Sequence, residues 1–424
     1  MDTKNIVAAI SLSAAVIVLY SLFFAPPPIT KENMAEGNKV EQNSDTPSLD
    51  QKENVAEISR EEALNQSERI NFENESIVGS ISLKGGVIDD LTFKQYNVSL
   101  DSQEKVTLLS PRNSKDGYLI ESGFITSDKN VEIPNSSSIW KVSGNNKLTD
   151  QSPIKISWTN DQGITFEKEI ALDDKYLFSI KQSVINPTDK KYDFYTYGQI
   201  IRNEMPDISN FYILHEGLVA TLDDELIEED YDDIQEKKFS RTAQKGWLGI
   251  GDKYWVTSLI PPREKEFKTT FDYKDKFRAN FVSTEPLELN ENSLIEETLQ
   301  IIVAAKRVDV IDGYAESLNI DKFDLTIDWG FLYFITKPLF FGIDYFFKLL
   351  GNYGLAIIAI TICIRLAFFP LANFSFRSMA KMKALQPEMA RLKELHKDDK
   401  MKLQQAMMAL YKKEKVNPMS GCLP

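Results

Sequence analysis

The chain has 424 residues and a formal net charge of −14, with 42% apolar and 26% charged residues. A chain of this length can bury a large core without covalent cross-links, and it predicts two or three domains. Two cysteines and two histidines exclude a disulfide scaffold and the common Cys/His zinc motifs. The acidic balance argues against a general nucleic-acid binder. Charge and hydropathy are distributed very unevenly, so these averages describe no single segment well.

The N-terminal segment 6–25 contains twenty residues without a charge. That length crosses a hydrocarbon layer of about 30 Å as a helix, so residues 1–25 are predicted to form a transmembrane anchor. The alternative is a cleaved signal peptide, whose apolar region is usually shorter. A cut after Ala25 would place Phe23 where a small side chain is needed, so the uncleaved anchor is favoured.

The next segment, 26–68, lacks the apolar content of a folded domain. Residues 29–68 contain no aromatic side chain, ten acidic residues and four basic residues. Such a segment buries too little apolar surface to offset the entropy lost on ordering, which predicts a flexible acidic linker. A solvated helix through EEALNQSERI remains the alternative, since helix propensity is a weak guide.

The region 69–322 consists of short runs that alternate polar and apolar side chains, separated by turn signals such as Asn186-Pro187. Repeated strands without intervening helices predict an all-β sandwich domain, with one helix over 308–318 near its end. The clearest runs are 77–83, 87–93, 154–159, 164–172, 176–185, 192–200, 253–260, 267–273 and 294–304.

Motifs that carry chemistry are sparse in this domain. Residues 223–236 hold nine acidic side chains without the glycine-punctuated calcium loop, so a solvated acidic loop is favoured over a metal site. His215 and Glu216 could form an acid/base pair, as in a sugar-processing β-sandwich enzyme, although one such pair is weak evidence. No GxxxxGK[ST] motif occurs, and no cofactor or metal is predicted.

The second apolar region has two parts. Residues 323–350 are rich in aromatic residues but also carry charges, which predicts an amphipathic helix lying in the membrane interface with its charges in water. The charged side chains predicted to lie in water are Lys337, Asp344 and Lys348. Residues 351–376 contain one charged residue, Arg365, and are predicted to form a second transmembrane helix.

The charges around these spans set the predicted orientation. Residues 375–424 carry a net charge of +6, whereas residues 26–350 carry −21. Basic flanks remain on the cytoplasmic side of a membrane. The C-terminal tail is therefore predicted to be cytoplasmic, and the large β domain is predicted to lie on the opposite side.

Arg365 is the most informative residue of the second span. A central arginine costs roughly 2.5–3.5 kcal/mol on insertion scales, so a protein interior or a water-filled cavity is expected around it. Thr361, four residues earlier, shares its face of the helix. The alternative is that Arg365 snorkels toward the cytoplasmic headgroups, with Arg377 only three turns away. A functional cavity is favoured over this alternative.

The basic tail 377–424 contains two amphipathic helical patterns that are broken near 397–399, which predicts an antiparallel hairpin. Seven of the ten methionines fall in residues 379–424. They could adapt to varied apolar substrates, or they could simply pack the hairpin's own seam. The basic face could meet ribosomal RNA or anionic lipid, or it could be only the orientation signal. The methionines predicted to contact substrate are Met379, Met382, Met389, Met407 and Met408.

Taken together, these segments resemble the YidC-type membrane protein insertases of Gram-negative bacteria, within the YidC/Oxa/Albino family. The resemblance covers nearly the whole chain apart from the linker, and the C-terminal blocks carry it most strongly. The matching segments are the N-terminal anchor, KGWLGIGDKYWVTSLIP (245–261), DWGFLYFITKPLF (328–340), GNYGLAIIAITICIRLAFFPL (351–371), SMAKMKALQPEMARLKE and MMALYKKEKVNPMSGCLP.

The resemblance implies a fold and a site. The fold is a membrane protein with an all-β periplasmic supersandwich domain, transmembrane α-helices and a cytoplasmic helical hairpin. Arg365 would be the charge of a hydrophilic groove that opens to the cytoplasm and to lipid. Five core helices build this groove in the family. This chain supplies the first of them and ends where the next span is expected, so it is expected to be a truncated form.

The resemblance also implies an activity, which is not enzymatic. The protein would insert integral membrane proteins into the bacterial inner membrane and help them to fold, with or without the Sec translocon and without ATP. Its partners would be nascent membrane proteins, the Sec translocon with its accessory subunits, the ribosome at the cytoplasmic hairpin, and membrane lipids.

Two other functional classes remain open on the residues alone. A sensor with an outer ligand domain and two spans explains the topology equally well, but it explains neither Arg365 nor the approach of NPMSGCLP to a further span. A membrane-tethered sugar enzyme would require turnover by the domain 69–322.

Overall fold

The computed structural model describes residues 58–206, 215–330, 332–397 and 399–414. The predicted anchor 1–25 and most of the predicted linker lie outside the described residues. The described part begins with a large β domain and ends with four helices. The predicted fold class, an all-β sandwich domain with C-terminal helices, is therefore confirmed.

The described residues form seven α-helices and twenty strands. The helices are α1 (Arg60–Leu64), α2 (Tyr231–Glu236), α3 (Val308–Ser317), α4 (Tyr333–Leu350), α5 (Tyr353–Ala384), α6 (Gln386–Leu395) and α7 (Lys400–Lys413). The first ten strands are β1 (Arg69–Glu73), β2 (Ile77–Ser82), β3 (Val87–Asn97), β4 (Lys105–Leu109), β5 (Tyr118–Ile125), β6 (Lys141–Ser143), β7 (Lys147–Leu148), β8 (Ile154–Thr159), β9 (Thr165–Leu172) and β10 (Leu177–Asn186). The other ten are β11 (Tyr192–Arg202), β12 (Gly217–Leu222), β13 (Glu225–Asp230), β14 (Phe239–Ala243), β15 (Gly246–Gly251), β16 (Trp255–Ile260), β17 (Phe267–Tyr273), β18 (Phe277–Ser283), β19 (Leu287–Leu289) and β20 (Ser293–Ala305).

The strands belong to two sheets. The first has the order β14-β17-β18-β11-β5-β3-β2-β1-β7, with β4 beside β3 and β19 beside β11. The second has the order β13-β12-β15-β16-β20-β10-β9-β8-β6. Neighbouring strands are mostly antiparallel, and the parallel pair among the described strands is β1 with β7. Mostly antiparallel sheets of this kind form sandwiches whose inner faces share one core.

Aromatic side chains from both sheets meet in that core. Phe72 of β1 and Phe178 of β10 are fully buried, and their rings meet edge to face with centroids 5.2 Å apart. Phe93 of β3 stacks on Trp255 of β16 at 4.6 Å. Each such ring removes a large apolar area from water, so these contacts hold the two sheets together.

All nine alternating runs in the sequence form strands, and two of them, 154–159 and 267–273, have the predicted ends. Strand β20, predicted from the longest run, combines two burial patterns. Its first half alternates between partly buried and exposed residues, whereas its second half, Gln300 to Ala305, pairs with β16 and is almost entirely buried. The predicted helix over 308–318 is α3.

The acidic stretch 223–236 is not the solvated loop that was predicted. It contains the whole of strand β13 and the whole of helix α2. Ile227, Tyr231 and Ile234 are buried and fix this segment on the domain, while the carboxylates between them point outward. The charge count concealed a regular apolar pattern with three anchoring side chains.

The β domain begins before residue 69. Helix α1 is closed by a capping box in which Ser59 and Glu62 bond to each other's backbone N–H groups. Arg60 forms an ion pair with Asp90 of β3, and Ile58 forms a β-bridge with Ser114. The helix left open as the alternative for EEALNQSERI is therefore present only over its first four residues, because Arg69 and Ile70 already belong to β1. It packs against the domain rather than belonging to a flexible linker.

The β domain also extends beyond its predicted end at residue 322. Phe323–Thr326 form a 3-10 turn, and the buried ring of Phe323 meets Trp247 edge to face at 5.3 Å. Helix α4 therefore begins at Tyr333, ten residues later than the predicted interfacial helix. Helix α5 continues through Pro370 to Ala384, eight residues beyond the predicted span.

Candidate functional site

Helices α4 and α5 expose apolar side chains that a water-soluble domain would bury. Helix α5 is the one helix in the described part of the chain that is long and apolar enough to cross a membrane. A contiguous apolar surface of this extent needs lipid or other protein around it. The exposed apolar side chains of α5 include Leu355, Ile357, Ile358, Ile362, Leu366, Phe368, Phe369 and Phe374.

Helix α4 packs against the N-terminal half of α5. The rings of Phe347 and Tyr353 lie 4.3 Å apart across the turn between the two helices. A Cβ atom added to Gly342 would lie 2.9 Å from Cδ1 of Ile360, so the absence of a side chain there lets the helices approach closely. Gly351 caps α4 in the left-handed conformation that favours glycine, with φ of +67°.

Arg365 lies away from this helix contact. Successive helical residues are rotated by about 100°, so Arg365, five residues after Ile360, points about 140° away from the α4-facing side chain. Arg365 is exposed. Among the described residues no carboxylate forms an ion pair with it. Helix α4 therefore cannot be a wall of a groove around Arg365.

Thr361 is exposed on the same side of α5, as its spacing predicts. Its hydroxyl donates to the carbonyl oxygen of Ile357 at 2.6 Å. The hydroxyl proton is therefore satisfied within the helix, and an oxygen lone pair remains available to water or a substrate. The structure thus brings Arg365 and Thr361 together on one exposed face.

The length of α5 sets the depth of Arg365. At 1.5 Å per residue, Arg365 lies about 18 Å along the axis from Tyr353, where the helix begins. With the hydrocarbon layer of about 30 Å starting near Tyr353, Arg365 lies about 12 Å before its far side. Arg377 follows about 18 Å further along, beyond the hydrocarbon. The predicted position of the span would therefore put this charge within the apolar layer.

The five methionines predicted to contact substrate divide into two groups. Met379 and Met408 are 43% and 52% exposed, whereas the other three are partly buried. In the hairpin of α6 and α7, the hydroxyl of Tyr411 lies 3.8 Å from the sulfur of Met389 and donates to it. Packing within the hairpin therefore accounts for part of the methionine pattern. The partly buried members are Met382, Met389 and Met407.

His215 and Glu216, considered as an acid/base pair, lie at the start of β12. The Nδ1 atom of His215 lies 3.1 Å from Asp230, and its Nε2 atom lies 3.2 Å from the Leu218 carbonyl oxygen. Its backbone N–H donates to Asp328 at 3.3 Å. Both ring nitrogens thus have partners within the fold, which gives His215 a structural role. Among the described residues no group of acidic, cysteine and histidine side chains could hold a metal ion.

The sequence analysis missed one buried lysine, Lys168, and was wrong to place another, Lys337, in water. Lys168 of β9 is 3% exposed, and its ammonium donates to the Gly86 carbonyl at 3.0 Å beneath the Trp140 ring. Burial lowers the pKa of Lys168 to about 7. Lys337 of α4 faces the β domain rather than water. Neither position is distinguishable from an exposed lysine by spacing, because both lie in alternating or amphipathic patterns that tolerate surface charge.

Two family models cover most of the chain. Residues 69–341 match the YidC periplasmic domain, and residues 345–424 match the 60Kd inner membrane protein family. These matches correspond to the β domain with its junction to α4, and to the helical region.

Several relatives are similar over the whole chain or nearly so. The membrane protein insertase YidC of Pelagibacter ubique is 72% identical, over 100% of this chain and 76% of that protein. Those of Sinorhizobium medicae and Rickettsia prowazekii are 37% and 39% identical, over 100% and 99% of this chain and 74% and 76% of theirs. The solved galactose mutarotase related enzyme of Lactobacillus acidophilus is 12% identical with a TM-score of 0.41, over 56% of this chain and 97% of that chain. On the sequence matches, this chain belongs to the YidC family of membrane protein insertases.

Proposed function

We propose that this protein inserts integral membrane proteins into the bacterial inner membrane and helps them to fold. Family membership supports the activity, because the similar relatives are named as insertases. The observation that carries the mechanism is Arg365, a charge that interrupts the exposed apolar surface of α5 and faces away from α4. The sensor and sugar-enzyme classes receive no support from the sequence relatives.

In the proposed mechanism, Arg365 and Thr361 line a hydrophilic groove inside the membrane. The apolar segment of a substrate enters lipid favourably, by about 25 cal/mol for each Å² removed from water. Its polar flank must cross the hydrocarbon, where a single charge costs roughly 2.5–3.5 kcal/mol. Water held around Arg365 would lower that cost. The groove walls would come from elements other than α4.

The charge of Arg365 also favours one class of substrate. A guanidinium and a carboxylate 4 Å apart attract each other by about 4 kcal/mol at an effective dielectric constant of 20, before desolvation is subtracted. The net attraction is smaller, because both groups lose water. A transient contact with an acidic translocated tail is therefore strong enough to guide the tail and weak enough to release it.

The rest of the molecule fits around this groove. The β domain would lie in the periplasm, α4 would lie in the adjacent interface, and the hairpin with its net positive charge would lie in the cytoplasm. The driving force is burial of the substrate's apolar segment, so no ATP is required. Proposed partners are nascent membrane proteins, the Sec translocon with its accessory subunits, the ribosome and membrane lipids. Met379 and Met408 are the exposed methionines available to an apolar substrate.

The test is replacement of Arg365 in the full-length protein, with insertion measured as protease protection of a substrate's translocated tail. Arg365→Ala should lower insertion of substrates with acidic tails about tenfold, which corresponds to about 1.4 kcal/mol. Arg365→Lys should retain more activity, because it keeps the charge. Arg377→Ala, placed beyond the hydrocarbon on the same helix, is the matched control.

Two outcomes would contradict the groove. Undiminished insertion of acidic-tailed substrates by Arg365→Ala would show that the charge is not used. An equal loss in Arg365→Ala for acidic-tailed and uncharged-tailed substrates would show that the residue acts through folding of the helix rather than through attraction to the tail.

A further inference from the structure

Two carboxylates at the end of the β domain are held rigidly by its core. Asp312 lies on α3, whose residues Val310 and Ile311 are buried. Asp324 lies in the 3-10 turn Phe323–Thr326, in which Phe323 is completely buried. Both carboxylates therefore move with the β domain.

A lysine from the membrane-facing helix reaches both of them. The Nζ atom of Lys337, in the second turn of α4, lies 2.6 Å from Oδ2 of Asp324 and 3.4 Å from Oδ1 of Asp312. The three side chains are only 17%, 18% and 31% exposed. Partial burial protects such ion pairs from screening by salt. Lys337, Asp312 and Asp324 are called the lock below.

Aromatic residues near the start of α4 surround the lock. The hydroxyl of Tyr333 donates to Oδ2 of Asp324 at 2.8 Å, so this carboxylate oxygen accepts from two groups of α4. The ammonium of Lys337 lies 5.7 Å from the ring centroid of Trp329 and 5.6 Å from that of Tyr333. The Trp329 indole N–H donates to the Asp324 carbonyl oxygen at 3.3 Å. These cation–π and hydrogen-bond contacts fix the direction in which α4 leaves the domain.

A second lysine on the same helix shows that this arrangement is not a general property of interfacial lysines. Lys348 pairs with Asp344 of its own helix at 2.7 Å, and its side chain is 74% exposed. Burial lowers the pKa of Lys337, but the Asp324 and Asp312 carboxylates outweigh burial and leave that pKa above its ordinary value. Lys337 therefore keeps its charge where it is partly withdrawn from water.

We infer that Lys337 is a positioning residue that locks helix α4 to the β domain through Asp324 and Asp312. Because α4 packs directly on α5, the same lock sets the orientation of the β domain relative to the helix that carries Arg365. Without the lock, the short segment around Gly330, whose φ is +70°, would act as a joint. This inference concerns the junction alone and does not depend on the proposed insertase mechanism.

Hydrogen exchange of the whole protein in a lipid bilayer tests the lock. The reporters are the amides of Tyr333, Ile335 and Thr336, which bond to Gly330 and Leu332 carbonyls in the first turn of α4. Lys337→Met should speed their exchange about tenfold, because it removes charged hydrogen bonds from a partly buried site. Lys348→Met, the matched control on the same helix, should leave them unchanged.

A charge-reversed pair separates the lock from a general loss of packing. Asp324→Lys alone should speed the same amides, and Asp324→Lys combined with Lys337→Asp should restore most of the protection. Exchange in the core strands, such as at Phe178 in β10, reports whether the β domain has remained folded. The inference is overturned by wild-type exchange in Lys337→Met, by an equal increase in Lys348→Met, or by failure of the reversed pair to recover protection while the core stays protected.

Discussion

The β domain and the pair α4–α5 use similar residues in opposite ways. In the β domain, large rings such as Phe178 and Phe281 are completely buried. On α5, Phe368 and Phe369 are 60% and 63% exposed. The β domain completes its own core, whereas the helices present an apolar surface that only lipid or other protein can cover. The exposure of large apolar side chains therefore indicates which part of the chain leaves water.

The same contrast holds for charge. In the β domain, Lys168 is buried against a single carbonyl, and burial lowers its pKa to about 7, so it can lose its proton. Arginine as a residue type keeps its proton in such surroundings. A guanidinium in the apolar layer of a membrane must therefore recruit water or an anion rather than discharge. This difference explains why a groove, and not a dry contact, is proposed around Arg365.

The largest expected effect comes from removing a ring from each region. Phe178→Ala should destabilise the β domain by about 3–5 kcal/mol, because it leaves a cavity between the two sheets. Phe368→Ala should change the free energy of unfolding of that domain by less than about 0.5 kcal/mol. Denaturant unfolding of the detergent-solubilised protein, followed by near-UV circular dichroism, gives both values. Similar losses in the two variants would show that the helical surface is part of the same core.

Lys168→Met should alter the pH dependence of stability. The folded pKa of about 7 is below the ordinary lysine value of about 10.4, so the folded state binds fewer protons between these values. Stability should therefore rise as pH increases from about 7 toward 10, by at most about 1.4 kcal/mol per pH unit. The methionine variant should be more stable at pH 7 and lack this slope in thermal melts taken across that range.

The control for this change is Lys181→Met on the neighbouring strand β10. Lys181 is exposed and pairs with Glu296, whose carboxylate raises the pKa of that lysine. Its replacement should leave the slope between pH 7 and pH 10 in place. Loss of the slope in Lys181→Met, or its persistence in Lys168→Met, would contradict the assignment to the buried ammonium.

The hairpin gives a smaller contrast between two methionines. Met389→Ala should loosen the contact between α6 and α7 by about 1 kcal/mol, because it removes a partly buried side chain and the acceptor of the Tyr411 hydroxyl. Met408→Ala should have little effect on the hairpin and should instead weaken photocrosslinking to apolar nascent chains. Hydrogen exchange in α6 and α7 measures the first effect. Equal exchange in both variants would mean that the two methionines do not have separate roles.

The smallest expected effect concerns α1. Ser59→Ala removes one half of the capping box and should destabilise this short helix by about 0.5–1 kcal/mol. Only the amides of residues 60–64 should exchange faster, while those of β1 and β2 remain protected. Exchange that spreads into β1 would show that α1 is needed for the sheet, and would place the start of the cooperative unit before residue 60.

Local patterns were sufficient to predict the strands and to single out Arg365 as a candidate site residue, whose role remains a proposal. Strand β8 was readable because its alternation is complete in six residues, and Arg365 because it is the single charge in a long apolar run. Contacts between distant segments were not readable. Asp312 lies 25 residues before Lys337, and no pattern in either segment predicts that the two side chains are in contact. The prediction of a loop around β13 was wrong, because it rested on the number of acidic residues. The fold of this stretch depends instead on three apolar side chains that are buried, and composition does not show where those three lie.

The uninterrupted length of α5 has a mechanical consequence. Along the helix axis, Arg365 is about 7.5 Å and Ala384 about 36 Å from the contact with α4 near Ile360. If α5 tilted as a rigid rod about that contact, Arg365 would move about one fifth as far as Ala384. A movement of the hairpin that tilted α5 would therefore displace Arg365 only slightly.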